Sequence, residues 1–177
     1  YDSAIDPEQV RAFLKAHPEI AVVCVCHHDT PSGTLNDIEA IGAIAAEAGA
    51  LLLVDAVSSW AGMPTSAAAS QAAVYVTGPN KCLGCPPALS LVAVSDAAWA
   101  KIEANPDAPF ASMLSFTDWR HAWKKTEPFP FTPSVSEING LDAALDRYLE
   151  EGPEAVWARH ALTARICREG IKAMGIE

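Results

Sequence analysis

Leu51-Leu52-Leu53-Val54-Asp55-Ala56-Val57-Ser58-Ser59 is the stretch that decides the fold. Four apolar residues in a row, with no helical period and an acid at the end, read as a strand covered on both faces, as in a parallel sheet. Upstream, Ala21 to Cys26 repeats the pattern and runs into the polar turn His27-His28-Asp29-Thr30-Pro31-Ser32-Gly33. Between the two runs the spacing predicts a helix from about Asn36 to Ala48, with Ile38, Ile41, Ile44 and Ala45 as its core stripe and Gly49 closing it. Downstream, Val74 to Thr77 is a third strand leading into Gly78-Pro79-Asn80-Lys81, and Leu89 to Val94 a fourth that lies beside it or forms a hairpin with it. Strand, helix, strand, irregular crossover, strand gives the α/β class: three α/β/α layers, a mostly parallel sheet, and polar groups gathered past the strand ends.

The flanks are less regular. Asp6-Pro7-Glu8 opens a short helix, with Asp as the cap, Pro at the first helical position, and Val10, Phe13 and Leu14 on one face. Asp96 to Ala104 reads as another helix. Asn105 to Pro133 is rich in proline and aromatics with no clear period, and that length favours a functional or interface role over a simple connector. Ser136 to Glu150 and Pro153 to Met174 then read as two helices broken at Gly152-Pro153.

Composition narrows the function classes. The chain has 177 residues, half of them apolar and 19% charged, enough for one domain with a full core. A net charge of −10 repels DNA and anionic membrane surfaces. No apolar run reaches the roughly 20 residues that span a bilayer, and Tyr1-Asp2-Ser3-Ala4 lacks the basic start and apolar core of a signal peptide. Five scattered cysteines fit a reducing cytoplasm rather than a disulfide framework. With Tyr1 at one end and Met174-Gly175-Ile176-Glu177 just after a helix at the other, the chain is expected to be an internal piece of a longer protein.

The strand ends carry the chemistry: Thr30 and Ser32 after the first, Asp55 after the second, Thr77 and Lys81 after the third. A lysine at such an edge attacks carbonyls once desolvation or a neighbouring cation lowers its pKa. Asp55, ending an apolar strand, is expected to be costly to bury unpaired and so to need a cation. A protonated pyridine nitrogen would serve, and so would Lys81 itself in a plain ion pair. Val57, two residues past Asp55, is expected on the same face, against such a ring. Other patterns carry less. Cys82-Leu83-Gly84-Cys85 has no second cysteine pair, so no metal site is expected. His27 and His28, adjacent on extended backbone, point apart and do not chelate one ion; either serves equally as a structural hydrogen-bond partner or as a group near the ring. Ser32, Ser58 and Ser59 lie in no G-x-S-x-G elbow. Trp119, Trp123, Phe129 and Phe131 read as dimer contact or core before ligand pocket.

VDAVSS at 54–59, TGPNK at 77–81, Pro86-Pro87-Ala88, and the loop CHHDTPSG at 26–33 resemble the class V, fold-type-I aminotransferases. Further runs, PFPFTPSVSEINGLD and EGPEAVWARHALTA, resemble the branch that works on pyridoxamine and pyruvate, so the likeness covers nearly the whole chain. The resemblance implies that residues 1–150 are part of the large, cofactor-binding domain and that 151–177 lead toward a small domain. It implies Lys81 as the Schiff-base lysine and general acid–base, with Asp55 on the ring nitrogen. Thr30 would lie near the ring's 3-oxygen and Val57 against its face, with Asn80 and His28 close by and Thr132 reaching in from the other subunit of a homodimer or dimer of dimers. Phe129 stands where relatives carry a tyrosine that contacts phosphate. The activity implied is transfer of an amino group from pyridoxamine to pyruvate, a step of vitamin B6 breakdown, with pyridoxal or pyridoxamine bound as substrate. The alternatives are a pyridoxal 5′-phosphate enzyme of the alanine–glyoxylate or serine–pyruvate kind, a cysteine desulfurase (disfavoured by Asn80 where a histidine is expected), and a non-catalytic dimerisation module.

Overall fold

A computed structural model describes residues 3–176; Tyr1, Asp2 and Glu177, cited above as chain ends, lie outside the described residues. Four strands form one sheet in the order β1 (Val22–Cys26), β2 (Leu51–Asp55), β3 (Val74–Thr77), β4 (Leu91–Val94). β1, β2 and β3 run parallel, with Val25 opposite Val54 and Val54 opposite Tyr75, while β4 returns antiparallel with Tyr75 opposite Ala93. The bounds of β2 and β3 match the sequence reading; β4 begins two residues later than expected.

Helix α1 (Pro7–Ala16) is capped by Asp6, whose carboxylate accepts from the Glu8 amide, and has Pro at its first position. Only Leu14 of the expected face is buried; Phe13 is exposed and stacks on His17 instead. Helix α2 (Ile38–Glu47) is capped by Asp37 and buries Ile38, Ile41, Ile44 and Ala45, the whole expected stripe. Ile38, Ile41 and Ala45 pack on the sheet face that carries Val25, Leu52, Val54 and Tyr75, and this is the core. Burying each large side chain contributes about 1.5–3 kcal/mol.

The opposite face differs from the sequence reading. Val22, Cys24 and Val92 are exposed there and Leu51 and Leu53 only half-buried, so the apolar runs are not covered on both faces by the described residues. The crossover from β2 to β3 is built of turns held from inside. Buried Ser70 donates to the Ser66 carbonyl, and Thr65 shares a hydrogen bond with the Tyr75 hydroxyl. Gly42 of α2 permits this crossover, because a Cβ there would overlap the Ser70 carbonyl.

Helix α3 (Asp96–Ala104) starts on a Ser95 cap. The segment expected to be irregular contains α4 (Phe116–Trp123), whose cap Ser115 accepts from the Asp118 amide. Arg120 explains its stability and its hidden period: the guanidinium lies over the Trp99 ring and pairs with Glu103, so a charged residue faces inward. Helices α5 (Val135–Glu151) and α6 (Pro153–Ala173) meet at Gly152, whose φ of +88° makes the break. Among the described residues no helix is long and apolar enough to cross a membrane.

Candidate active site

Parallel pairing brings the carboxyl ends of β1, β2 and β3 to one sheet edge, where ligands bind in open α/β sheets. Cys26 stands opposite Asp55, and Asp55 opposite Val76, so three loops rise side by side. They carry His27 to Gly33, Ala56 to Ser59 and Gly78 to Lys81.

Asp55 is exposed rather than buried, because it ends β2 on the open face. Its Oδ1 accepts the Val57 amide at 3.0 Å, and Oδ2 has no partner among the described residues. The same bond corrects the placement of Val57. The chain turns immediately after Asp55, so Val57 lies in a turn, half-buried, and the alternation that put it on the Asp55 face stops with the strand.

Lys81 is exposed at the end of the turn after β3. Among the described residues no ion pair joins it to Asp55, so the plain ion-pair account has no support in the geometry. Gly78 and Pro79 are buried beneath it, and the Asn80 side chain folds back over Gly78, where a Cβ would come within 2.7 Å of Asn80 Oδ1. Next to Lys81, burial pushes the Cys82 thiol up, and the lysine's charge only partly opposes this. A thiol raised in this way is less readily the thiolate that attacks.

Thr30 Oγ1 and Ser58 Oγ share a 2.5 Å hydrogen bond across the first two loops. The two histidines do face apart. His27 is buried, with Nδ1 2.9 Å from Ser59 Oγ, whereas His28 is half-buried and its Nδ1 is enclosed without a partner. Asp29 accepts from both the amide and the hydroxyl of Ser32, which hold its carboxyl below the usual range and shape the loop around Gly33. Thr132 is exposed, and Phe129 and Phe131 pack on Trp119. No hydrogen bond among the described residues ties Thr132 or Lys81 to Thr30 or Asp55.

These groups fit a pyridoxal ring. A free carboxylate oxygen, a free amine, a hydroxyl pair and an enclosed ring nitrogen without a partner share one edge, and such a ring offers a pyridinium, an aldehyde and a 3-oxygen. The roles of Ser58 and Ser59 as partners of Thr30 and His27 were missed by the sequence reading. Strand register held the signal: with Cys26 opposite Asp55, the residues just past each come face to face.

The chain is similar to known proteins along nearly its whole length. The aminotransferase class-V family model matches residues 2–176. A pyridoxamine–pyruvate transaminase of Mesorhizobium japonicum is 66% identical over 99% of the chain and 45% of its own length. The crystal structure of a pyridoxamine–pyruvate aminotransferase from Mesorhizobium loti superposes with a TM-score of 0.95, at 66% identity, over 99% of this chain and 45% of that one. That of an alanine–glyoxylate aminotransferase from Nostoc sp. gives 0.93 at 25% identity, over 100% of this chain and 48% of that one. The chain therefore spans just under half the length of these relatives, and its fold is that of the fold-type-I enzymes. This chain belongs to the class V aminotransferase family.

Proposed function

We propose that the whole protein is a transaminase that passes an amino group from pyridoxamine to pyruvate, giving pyridoxal and L-alanine. The observation that carries this reading is Lys81 and Asp55, both exposed at one sheet edge and unpaired with each other, in a chain 66% identical to a pyridoxamine–pyruvate transaminase. When bound, the pyridine ring supplies an electron sink for the carbon that loses its proton. Asp55 Oδ2 would hold the proton on the ring nitrogen, and its Oδ1, tied to the Val57 amide, fixes the carboxylate's orientation. Lys81 Nζ would hold the vitamer's reactive carbon and, as general acid–base, would move the proton between the vitamer carbon and the substrate carbon, work typically contributing about 10²–10⁴-fold. Thr30 Oγ1, held by Ser58 Oγ, would bond the 3-oxygen, and Val57 would bound the ring's face from the turn past β2 rather than from the strand.

His28 and Asn80 line the same edge, and Thr132 enters it from a second copy in a homodimer. On this reading residues 1–150 belong to the large domain and 151–177 lead to a small one. Cys24, Cys26, Cys82, Cys85 and Cys167 are free thiols, which a reducing cytoplasm permits, and that compartment is part of the proposal. Phe129, without a hydroxyl and packed against Trp119 and Trp123, favours the unphosphorylated vitamer.

The test is absorbance on adding pyridoxal or its phosphate to the whole protein. We expect a new band at the edge of the visible with pyridoxal, absent in Lys81→Ala, and a turnover loss in that variant of about 10²-fold or more. No band with either vitamer would sink the transaminase reading. Tight binding of the phosphate form alone would replace it with a pyridoxal-phosphate aminotransferase of the alanine–glyoxylate kind.

A further inference from the structure

Ser59 and His27 are both buried, and neither belongs to the groups that face the proposed ring. Ser59 Oγ lies 2.9 Å from His27 Nδ1 and 3.2 Å from the Ala56 carbonyl oxygen. A hydroxyl has one proton for these two acceptors. The Ala56 carbonyl already receives the Ser59 amide at 3.1 Å, the Trp60 amide at 2.9 Å and the Thr77 hydroxyl at 3.2 Å. It has two lone pairs, so it is fully used without Ser59 Oγ. The Ser59 proton goes to His27 Nδ1, the shorter contact, in the tautomer that carries its own proton on Nε2; in the other tautomer Nδ1 donates to Ser59 Oγ and the same bond stands. Burial pushes His27 toward the neutral form that this arrangement requires; His28 adds to that effect, while Asp37 and Glu39 oppose it.

The bond joins what the site needs joined. The His27 amide donates to the Asp55 carbonyl at 2.8 Å, and the His27 carbonyl accepts the Asn36 amide at 2.8 Å, so this residue's backbone is fixed at the end of β1. Ser59 sits four residues past Asp55, in the turn that also carries Val57 and Ser58. The Ala56 amide donates to the Val76 carbonyl, and Thr77 donates back to the Ala56 carbonyl, which ties β3 and the approach to Lys81 into the same knot. Thr30 and Ser58, by contrast, lie toward solvent and share one short bond that has nothing behind it except these loops.

We propose that the Ser59–His27 hydrogen bond is a positioning clamp: it sets the spacing between the Thr30 loop and the Asp55 turn at which the two can grip opposite edges of one pyridine ring. The inference rests on the function proposed above. Misplacing such groups by about 1 Å costs on the order of a hundredfold where geometry governs binding and reaction.

Two substitutions at one position isolate the bond from bulk. In His27→Asn the amide oxygen falls where Nδ1 sat and can still accept from Ser59; in His27→Gln it falls near the Nε2 position and cannot. Gln is nearer to histidine in size, so a mere packing role predicts the opposite ranking. In the whole protein, amide hydrogen exchange at His27 and Val57 without vitamer, and the pyridoxal dissociation constant from the absorbance band, are measured for the parent, Ser59→Ala, His27→Asn and His27→Gln.

Ser59→Ala and His27→Gln are expected to speed exchange at both amides by about tenfold and to weaken pyridoxal by about tenfold or more, with His27→Asn within about threefold of the parent. If Ser59→Ala does not fold, the two His27 variants decide alone. Unchanged exchange, faster exchange with unchanged affinity, or His27→Asn as impaired as His27→Gln would each overturn the clamp. A parent that binds neither vitamer overturns the proposed function and with it the clamp's role at a ring, while exchange still reports whether the bond holds the loops.

Discussion

The sheet half of this chain and its helical half hold similar apolar residues to different ends. Ile41 and Leu52 are 1% exposed and Val54 0%, enclosed between α2 and one sheet face. In the second half Trp123 is 68% exposed, Leu149 66% and Ile166 59%, and α5 buries none of its residues. Periodicity tells which face of an element is apolar, but not whether the chain itself supplies the covering surface. The apolar faces of α4 to α6 are left open by the described residues, in a chain that spans just under half the length of the relatives it matches.

The contrast is most easily broken by equal truncations in the two halves. Leu52→Ala removes a side chain with no solvent on any side and is expected to cost about 2–5 kcal/mol, whereas Leu149→Ala on α5 is expected to change stability by about 0.5 kcal/mol or less. Urea unfolding of the 177-residue chain measures both. A Leu149→Ala cost equal to that of Leu52→Ala would mean that the helical half is packed in solution and the contrast is wrong.

What the sequence revealed divides along the same line. β2, β3 and the α2 stripe could be read correctly because their burial comes from neighbours close in the chain. α4 was hidden, since prolines and aromatics surround it and, beside buried Ala122, its packed face carries the charged Arg120, held by Trp99 and Glu103. The catalytic candidates Lys81 and Asp55 could be placed from topology alone, as strand-end residues of neighbouring parallel strands. Their surroundings could not. Asp55 was expected to need a cation because burying it unpaired is costly, yet it is open because the described residues leave that face uncovered. Ser58 and Ser59 were weighed as nucleophiles, although they are partners of Thr30 and His27, a fact that follows only from the register of β1 on β2.

Glycines sharpen the comparison by reversing its sign. A Cβ on Gly42 would overlap the Ser70 carbonyl, which is backbone and cannot swing away, so Gly42→Ala is expected to destabilise by about 1–3 kcal/mol. Gly140 in α5 would present its Cβ to open space, and removing a helical glycine's excess freedom stabilises by roughly 0.5–1 kcal/mol. Thermal midpoints of the two variants should move in opposite directions. A shared direction would show that the open space around Gly140 is filled in solution.

Helix caps give the smallest difference and the one least dependent on packing. Asp37 begins α2 with its Oδ1 2.9 Å from the Ala40 amide, satisfying one of the donors that every helix start leaves free. Ser134 stands at the same position of α5, but its side chain makes no cap bond. Both types are favoured caps, so sequence alone ranks them as equals. The geometry separates them: Asp37→Ala is expected to cost about 1 kcal/mol and Ser134→Ala close to nothing. Paired chemical-denaturation curves resolve that gap. If Ser134→Ala cost as much as Asp37→Ala, its hydroxyl would be capping α5 in solution, and the helical half would be more ordered at that end than its exposed faces imply.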